Sequence, residues 1–219
     1  MTTPRIEGRF IVLEGIDGSG TTTQRERLST WLRGLGYHVH PTAEPSGGPV
    51  GKLIRSLLSA AAGPFDADAM ALLFAADRRD HLAREIDPQL AAGAIVLSDR
   101  YVLSSLAYQT SAGVPRELVY TANHHDRDGR SALRTPDLTL FVEVSGEVAA
   151  RRRAQRAGTV EIYDDRATQE RVAAAYRREA DALIATGAHC AIIDGAGTPD
   201  EVEAALRAAI TPILPAGGR

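Results

Sequence analysis

Three glycines within six residues, in the run Gly15-Ile16-Asp17-Gly18-Ser19-Gly20-Thr21-Thr22, constrain this chain more than any other feature. They follow the apolar run Phe10-Ile11-Val12-Leu13 and precede an amphipathic stretch over residues 22–35. A continuous rather than alternating apolar run is expected for a strand covered on both faces. Glycines let the backbone turn its N–H groups toward a bound anion, and a helix N-terminus adds a field that favours negative charge. The run follows the G-x-x-x-x-G-K-[ST] pattern except that Thr21 stands at the lysine position, and Thr22 stands where a hydroxyl would coordinate Mg²⁺. A glycine-rich strand-to-helix turn can be only a turn. Strand, glycine spacing and hydroxyl together point to phosphate binding.

The rest of the chain repeats the strand-then-helix order. Residues 94–97, 138–142 and 191–193 are further short apolar runs, and residues 37–40 make a weaker fifth strand, nearer an edge. Between them lie amphipathic stretches at 66–92, 102–110, 115–125, 146–157, 165–186 and 198–210, and the Gly/Pro loop after Glu44 runs into a basic helix. Asp66 suits an N-cap, and Gly36, Gly93 and Gly187 suit helix C-termini. Strands separated by helices need crossover connections, which make a parallel sheet. The expected fold is a three-layer α/β/α with a five-stranded parallel sheet of P-loop NTPase type. It forms one domain over residues 1–219, with 1–8 and 214–219 frayed.

Composition narrows the partners. With 25 Lys plus Arg against 28 Asp plus Glu, the formal charge is −3, which argues against a broad nucleic-acid or anionic-membrane surface. One cysteine, Cys190, excludes an internal disulfide or a cysteine-built zinc site and fits a reducing compartment. No apolar stretch approaches the ~20 residues that span a bilayer. No apolar leader precedes Phe10, so a cytoplasmic location is expected. Cys190 reads as an inert buried thiol, Trp31 as packing for its helix, and His124-His125-Asp126 as a turn rather than a metal site.

Lys52 is the only lysine in the chain. At position 21 a lysine would reach the β- and γ-phosphates. Its absence means that an arginine or Lys52 supplies the charge, or that the chain binds nucleotide with impaired chemistry. One preorganised donor is worth ~3 kcal/mol of transition-state stabilisation, so the difference is large.

Three further segments bear on a second ligand. Residues 44–55 form a loop with Lys52 and Arg55 on the helix after it. Phe74 and Arg78 are i and i+4 on one helical face, which suits a ring under a base with a guanidinium at its edge; a core Phe with a solvated Arg is the plainer alternative. Ser98-Asp99-Arg100-Tyr101 ends a strand at the side of the sheet where ligands bind, followed by Ser104-Ser105-Leu106-Ala107-Tyr108-Gln109.

Taken in order, Glu14 through Gly20, Glu44-Pro45 with its glycines, Leu73-Phe74 through Arg78, Asp99-Arg100-Tyr101, and Ser104-Ser105 with Ala107-Tyr108-Gln109 resemble the thymidylate kinase family over nearly the whole chain. The resemblance implies a nucleoside monophosphate kinase-like fold, transfer of the ATP γ-phosphoryl to dTMP with Mg²⁺, and a homodimer. It implies that Gly15, Ile16, Asp17, Gly18, Ser19, Gly20, Thr21, Thr22 and Thr23 wrap ATP, with Thr22 and Asp99 at the metal. It further implies that Asp17 holds the sugar 3′-hydroxyl, Phe74 and Arg78 meet the base, and Arg100 clamps the acceptor phosphate. Tyr108 would crowd the 2′ position, with Ser104, Ser105 and Gln109 completing the acceptor side. A mobile lid is implied over residues 151–165, from which Arg153 or Arg156 acts on the transferring phosphoryl beside Asp99 and Arg100. The chain departs from the family at Thr21 and in the lid, where Glu161-Ile162-Tyr163-Asp164 stands near the usual Asp-Arg pair. Ala43 is a third departure, replacing the usual arginine before Glu-Pro; Lys52 or Arg55 is the expected compensation. A nucleotide-binding protein without turnover, and a kinase for another monophosphate, remain open alternatives.

Overall fold

The computed structural model describes residues 8–59, 62–124, 133–155 and 165–215. Five parallel strands, β1 (Arg9–Glu14), β2 (Val39–Ala43), β3 (Ile95–Asp99), β4 (Leu138–Glu143) and β5 (Cys190–Asp194), lie in the order β2-β3-β1-β4-β5. The central place of β1 accounts for its unbroken apolar run. Ile11 and Leu13 pack against Leu28 and Leu32 on one side of the sheet, while Phe10 and Val12 pack against Leu82, Ile86 and Leu90 on the other. All four strand residues are completely buried, as expected when helices cover both faces.

Helix α1 (Thr21–Gly34) leaves the glycine turn directly. Helices α2 (Pro49–Leu58), α3 (Ala67–His81), α4 (Asp87–Ala91), α5 (Val102–Ser111) and α6 (Arg116–His124) follow between β2 and β4. Helix α7 (Gly146–Ala154) leads from β4, α8 (Arg166–Ala185) leads into β5, and α9 (Pro199–Ile210) closes the order. The caps are local. Asp66 accepts from the Ala69 amide at 2.8 Å, and Thr198 with Glu201 forms a reciprocal capping box. Gly36, Gly93 and Gly187 have φ of 88°, 82° and 81° just past helix ends, where L side chains are disfavoured.

Two expectations need correction. The stretch 66–92 is not one α-helix: α3 passes through a π-helical turn at Leu82–Ile86 into α4. Pro88 has no N–H to continue the α-helical ladder, and just before it the Asp87 amide bonds the Leu82 carbonyl across the wider turn. The weak strand runs over 39–43, not 37–40. The Tyr37 amide bonds the Leu32 carbonyl at 3.1 Å, so Tyr37 finishes the end of α1. Pro41 is accommodated because β2 lies at the sheet edge.

Trp31 packs against the core with Arg207 5.1 Å from its ring centre. Cys190 is half-buried, and burial pushes its thiol up to about 11. His125 and Asp126 lie outside the described residues, while His124 stacks on Tyr120. Among the described residues no helix is long and apolar enough to cross a membrane. The architecture is a three-layer α/β fold of the P-loop NTPase type. Its register aligns Ala43 and Leu13 with Asp99, so the carboxyl ends of β2, β3 and β1 open onto one crevice.

Candidate active site

The glycine turn, residues 15–20, sits between β1 and α1 with Gly18 at φ 91° and Gly20 at φ 98°. A Cβ on Gly18 would stand 2.5 Å from the Ala149 carbonyl oxygen, so α7 lies directly on the turn. Residues three and four after Ala149 share its helical face, and they are arginines. Arg152 donates to the Ser19 carbonyl at 3.1 Å and to those of Gly195 and Gly197 at 2.9 and 3.2 Å. Arg153 donates to the Asp17 carbonyl at 2.6 Å. Sequence reasoning singled out Arg153 but passed over Arg152; the spacing from Ala149 would have found it had the contact been known. Arg156 and residues 161–164 fall outside the described residues. Thr21 is buried, Thr23 is exposed, and Ile16 packs beneath the turn against Leu103 and Tyr108.

Thr22 donates its hydroxyl to one Asp99 carboxylate oxygen at 2.6 Å. The other, Oδ1, is buried without a protein hydrogen-bond partner. A carboxylate oxygen left open beside a hydroxyl at the head of a phosphate turn is the donor chemistry of a hard divalent cation, so the residues present fit Mg²⁺. The Ser19 hydroxyl oxygen, also in the turn, is likewise buried and without a partner.

Arg100 links this turn to the neighbouring cavity. Among the described residues it is the one non-glycine with positive φ, at 79°, a conformation of order 1–3 kcal/mol in strain that surrounding contacts have to hold. Its amide bonds the Leu13 carbonyl at 2.8 Å, and Ser98 donates to its carbonyl at 2.8 Å. The guanidinium donates to the Gly15 carbonyl at 3.1 Å, to Tyr176 at 3.1 Å and to Asp17 at 2.6 Å. Tyr108 donates to the second Asp17 oxygen at 2.8 Å and accepts from the Asp17 amide at 3.1 Å. Burial alone would push the Asp17 carboxyl up, but Arg100, Tyr108, Gln169 and Arg153 together hold it below the usual range. Burial pushes Tyr108 well above its ordinary value, so its phenol remains a donor at neutral pH.

The cavity beyond Arg100 is lined by Asp17, Phe74, Arg78, Ser105, Tyr108 and Gln109, closed at one side by Glu44, Pro45 and Arg55. Phe74 is half-buried, a ring with one face in the packing around Ile54 and Met70. Gln109 is buried with its Oε1 unpartnered, an acceptor open to a donor from a ligand. Arg78 is not the solvated charge of the plainer reading, because it is 1% exposed. It reaches Glu44 at 2.6 Å, Ser105 at 3.0 Å, the Tyr101 carbonyl at 2.9 Å and Asn123. Behind Glu44 stands His81, whose Nε2 meets the Thr42 hydroxyl at 2.8 Å. Burial would lower His81, but Glu44, Glu85 and Asp77 outweigh it and hold the imidazole raised. Ser104 lines the cavity with its hydroxyl already engaged by Glu14 and Tyr176.

Lys52 is exposed and does not line the cavity, whereas Arg55 does, donating to the Ser46 carbonyl at 2.6 Å and to that of Pro45. Beside Ala43, Arg25 donates to the Thr42 carbonyl at 3.0 Å. Glu14, Asn123, Gln169 and Tyr176 enter the site without having been assigned a role from the sequence. Three of them come from α6 and α8, which no local motif marks.

A family model described as Thymidylate kinase matches residues 13–206. A probable thymidylate kinase of Pyrobaculum aerophilum is 40% identical over 195 residues, covering 89% of this chain and 92% of that protein. Thymidylate kinases of Synechococcus sp. and Cereibacter sphaeroides are each 39% identical, covering 94% and 95% of this chain and 96% of each relative. The glycine turn, the crevice carboxylate and the cavity beside Arg100 therefore sit on a chain that belongs to the thymidylate kinase family.

Proposed function

We propose that this chain is an ATP-dependent dTMP kinase that moves the γ-phosphoryl of ATP to the phosphate of dTMP, giving dTDP and ADP. The observation that carries the reading is the position of Arg100. One guanidinium bonds both Gly15 and Asp17 of the phosphate turn while lining the cavity that holds Phe74, so two phosphate groups are drawn to the same few ångströms.

On this reading the turn amides and the head of α1 hold the ATP phosphates. Thr22 and Asp99 would hold Mg²⁺, which would supply neutralisation of phosphate charge. Phe74 carries the thymine ring and Gln109 accepts from the base. Ser105 turns Arg78 toward the base edge, Tyr108 closes the 2′ side of the sugar, and Asp17 receives the 3′-hydroxyl. Arg100 aligns the acceptor oxygen, while Arg153 faces the charge that develops on the transferred group; Arg156, the other arginine expected to act there, lies outside the described residues. Protein groups form no covalent bond to it; the rate comes from position and charge. The chain works as one domain, as a homodimer in the cytoplasm, with residues 151–165 as its lid.

Steady-state turnover with dTMP against dUMP, dCMP and dGMP tests the proposal: dTMP is expected to be preferred, and ADP release no faster than in buffer would refute it. Thr21 favours a second reading, a nucleotide binder without turnover. Calorimetric binding of dTMP with no ADP release in a coupled assay would establish that reading instead.

A further inference from the structure

We infer that Glu14 is a positioning residue for the acceptor phosphate, acting through the Ser104 and Tyr176 hydroxyls to hold the Arg100 guanidinium. The inference rests on the dTMP kinase reading and adds a residue for which that reading has no task. Glu14 ends β1 and is completely buried, one residue before the phosphate turn. Its Oε1 accepts from the Tyr101 amide at 2.9 Å and the Ser104 amide at 3.3 Å, at the head of α5. Its Oε2 accepts from the Ser104 hydroxyl at 2.5 Å and from Tyr176 at 3.2 Å. Those two hydroxyl oxygens are also what one Arg100 nitrogen donates to, at 3.3 and 3.1 Å.

Proton counting gives the arrangement its direction. A guanidinium only donates, and each hydroxyl has a single proton. With Glu14 ionised, Ser104 donates to Oε2, and Tyr176, whose oxygen is 2.6 Å from that of Ser104 and 3.2 Å from Oε2, keeps its proton on the same side, so both oxygens turn lone pairs toward Arg100. A protonated Glu14 has an O–H of its own to place on Ser104 or Tyr176. The carboxyl then competes as a donor for the hydroxyl oxygens that Arg100 uses, and its negative charge no longer faces the guanidinium. The groups facing Glu14 are Arg100 at the end of β3, Arg78 on α3, Ser104 on α5, Tyr176 on α8 and the Cys190 thiol on β5. Burial pushes the Glu14 carboxyl up to about 6, although Ser104, Arg100 and Arg78 pull the other way. The carboxylate is therefore present near neutrality and disappears as the pH falls through that value, which weakens the hold on Arg100 from the acid side.

The test compares wild type with Glu14→Gln, whose amide N–H₂ imposes the reversed arrangement at every pH. At about pH 8 the dTMP KM is expected to rise about tenfold while kcat and the ATP KM change less than about threefold, as for loss of one hydrogen bond to a charged group. The wild-type to Glu14→Gln ratio of kcat/KM for dTMP cancels the titration of dTMP itself, and it is expected to shrink as the pH falls below Glu14's range. Tyr176→Phe keeps the ring stacked on Phe141 and removes only the hydroxyl; in that background Glu14→Gln is expected to have a smaller effect. An unchanged dTMP KM, a pH-independent ratio, or equal losses in both substrates' KM and in kcat would overturn the inference. If Glu14→Gln yields no folded protein, an unchanged dTMP KM in both Tyr176→Phe and Ser104→Ala overturns it. Wild type that neither binds nor turns over dTMP would sink the underlying function instead.

Discussion

The acceptor cavity and the phosphate turn share Arg100, but they are held in opposite ways. Around the cavity most bonds join side chain to side chain: Arg78 is enclosed by Glu44, Ser105, Asn123 and the Tyr101 carbonyl, drawn from three separate segments. Around the turn, arginines from α7 bind backbone carbonyls, Arg152 at Ser19 and Arg153 at Asp17. A network built mainly from side chains is disrupted when any one of them is changed. A carbonyl is present whatever residue carries it, so cations gripping a backbone leave the identity of the turn residues freer. Gly18, pressed against Ala149, has no room for a side chain, and Thr21 brings no charge of its own. On the proposed reading the charge at the turn comes from α7, so a threonine can stand at the lysine position.

Variants can break or sharpen this contrast. The largest effect is expected at the residue common to both regions. Arg100→Ala should reduce kcat/KM for dTMP on the order of a thousandfold, since it removes the partner of Asp17 Oδ1 and leaves an incoming phosphate without its cation; a loss below tenfold would remove its bridging role. Arg153→Ala should lower kcat about a hundredfold with dTMP binding intact by calorimetry. A rise in dTMP Kd without a change in kcat would assign Arg153 to the acceptor side instead. Thr21→Lys should change kcat by less than about tenfold, because the guanidiniums of α7 already neutralise the turn. A hundredfold gain would show that they do not. Least affected should be a residue outside both regions: Asp66→Ala removes the α3 cap and is expected to lower Tm by about 2–4 °C with kcat unchanged. A matching fall in activity would mean that the cavity depends on the start of α3.

The readable parts of the molecule were those whose cause is local. Covered strands show as continuous apolar runs, and Asp66, Thr198 and the glycines after the helices mark boundaries within a residue or two. Phe74, Arg78, Asp99, Arg100 and Tyr108 could be picked out because their spacing matches a known arrangement. The shift of β2 to Val39–Ala43 and the π-turn at Leu82–Ile86 could not, since each depends on which backbone donor finds which acceptor. Arg78 was the hardest to read. As a charge on an amphipathic helix it reads as solvated, and only Glu44 and Asn123, 34 and 45 residues away, make its burial tolerable.

The order of residues alone established a covered parallel sheet with a phosphate turn at its centre, because backbone geometry and side-chain periodicity are properties of neighbours along the chain. Folding decided which groups carry the charge there. Arg152 and Arg153 reach the turn from more than 130 positions away, and Glu14 meets Ser104 and Tyr176 only because β1, α5 and α8 are packed together. Electrostatic interactions act across space and strengthen as water is excluded, so their partners are set by packing and not by proximity in sequence.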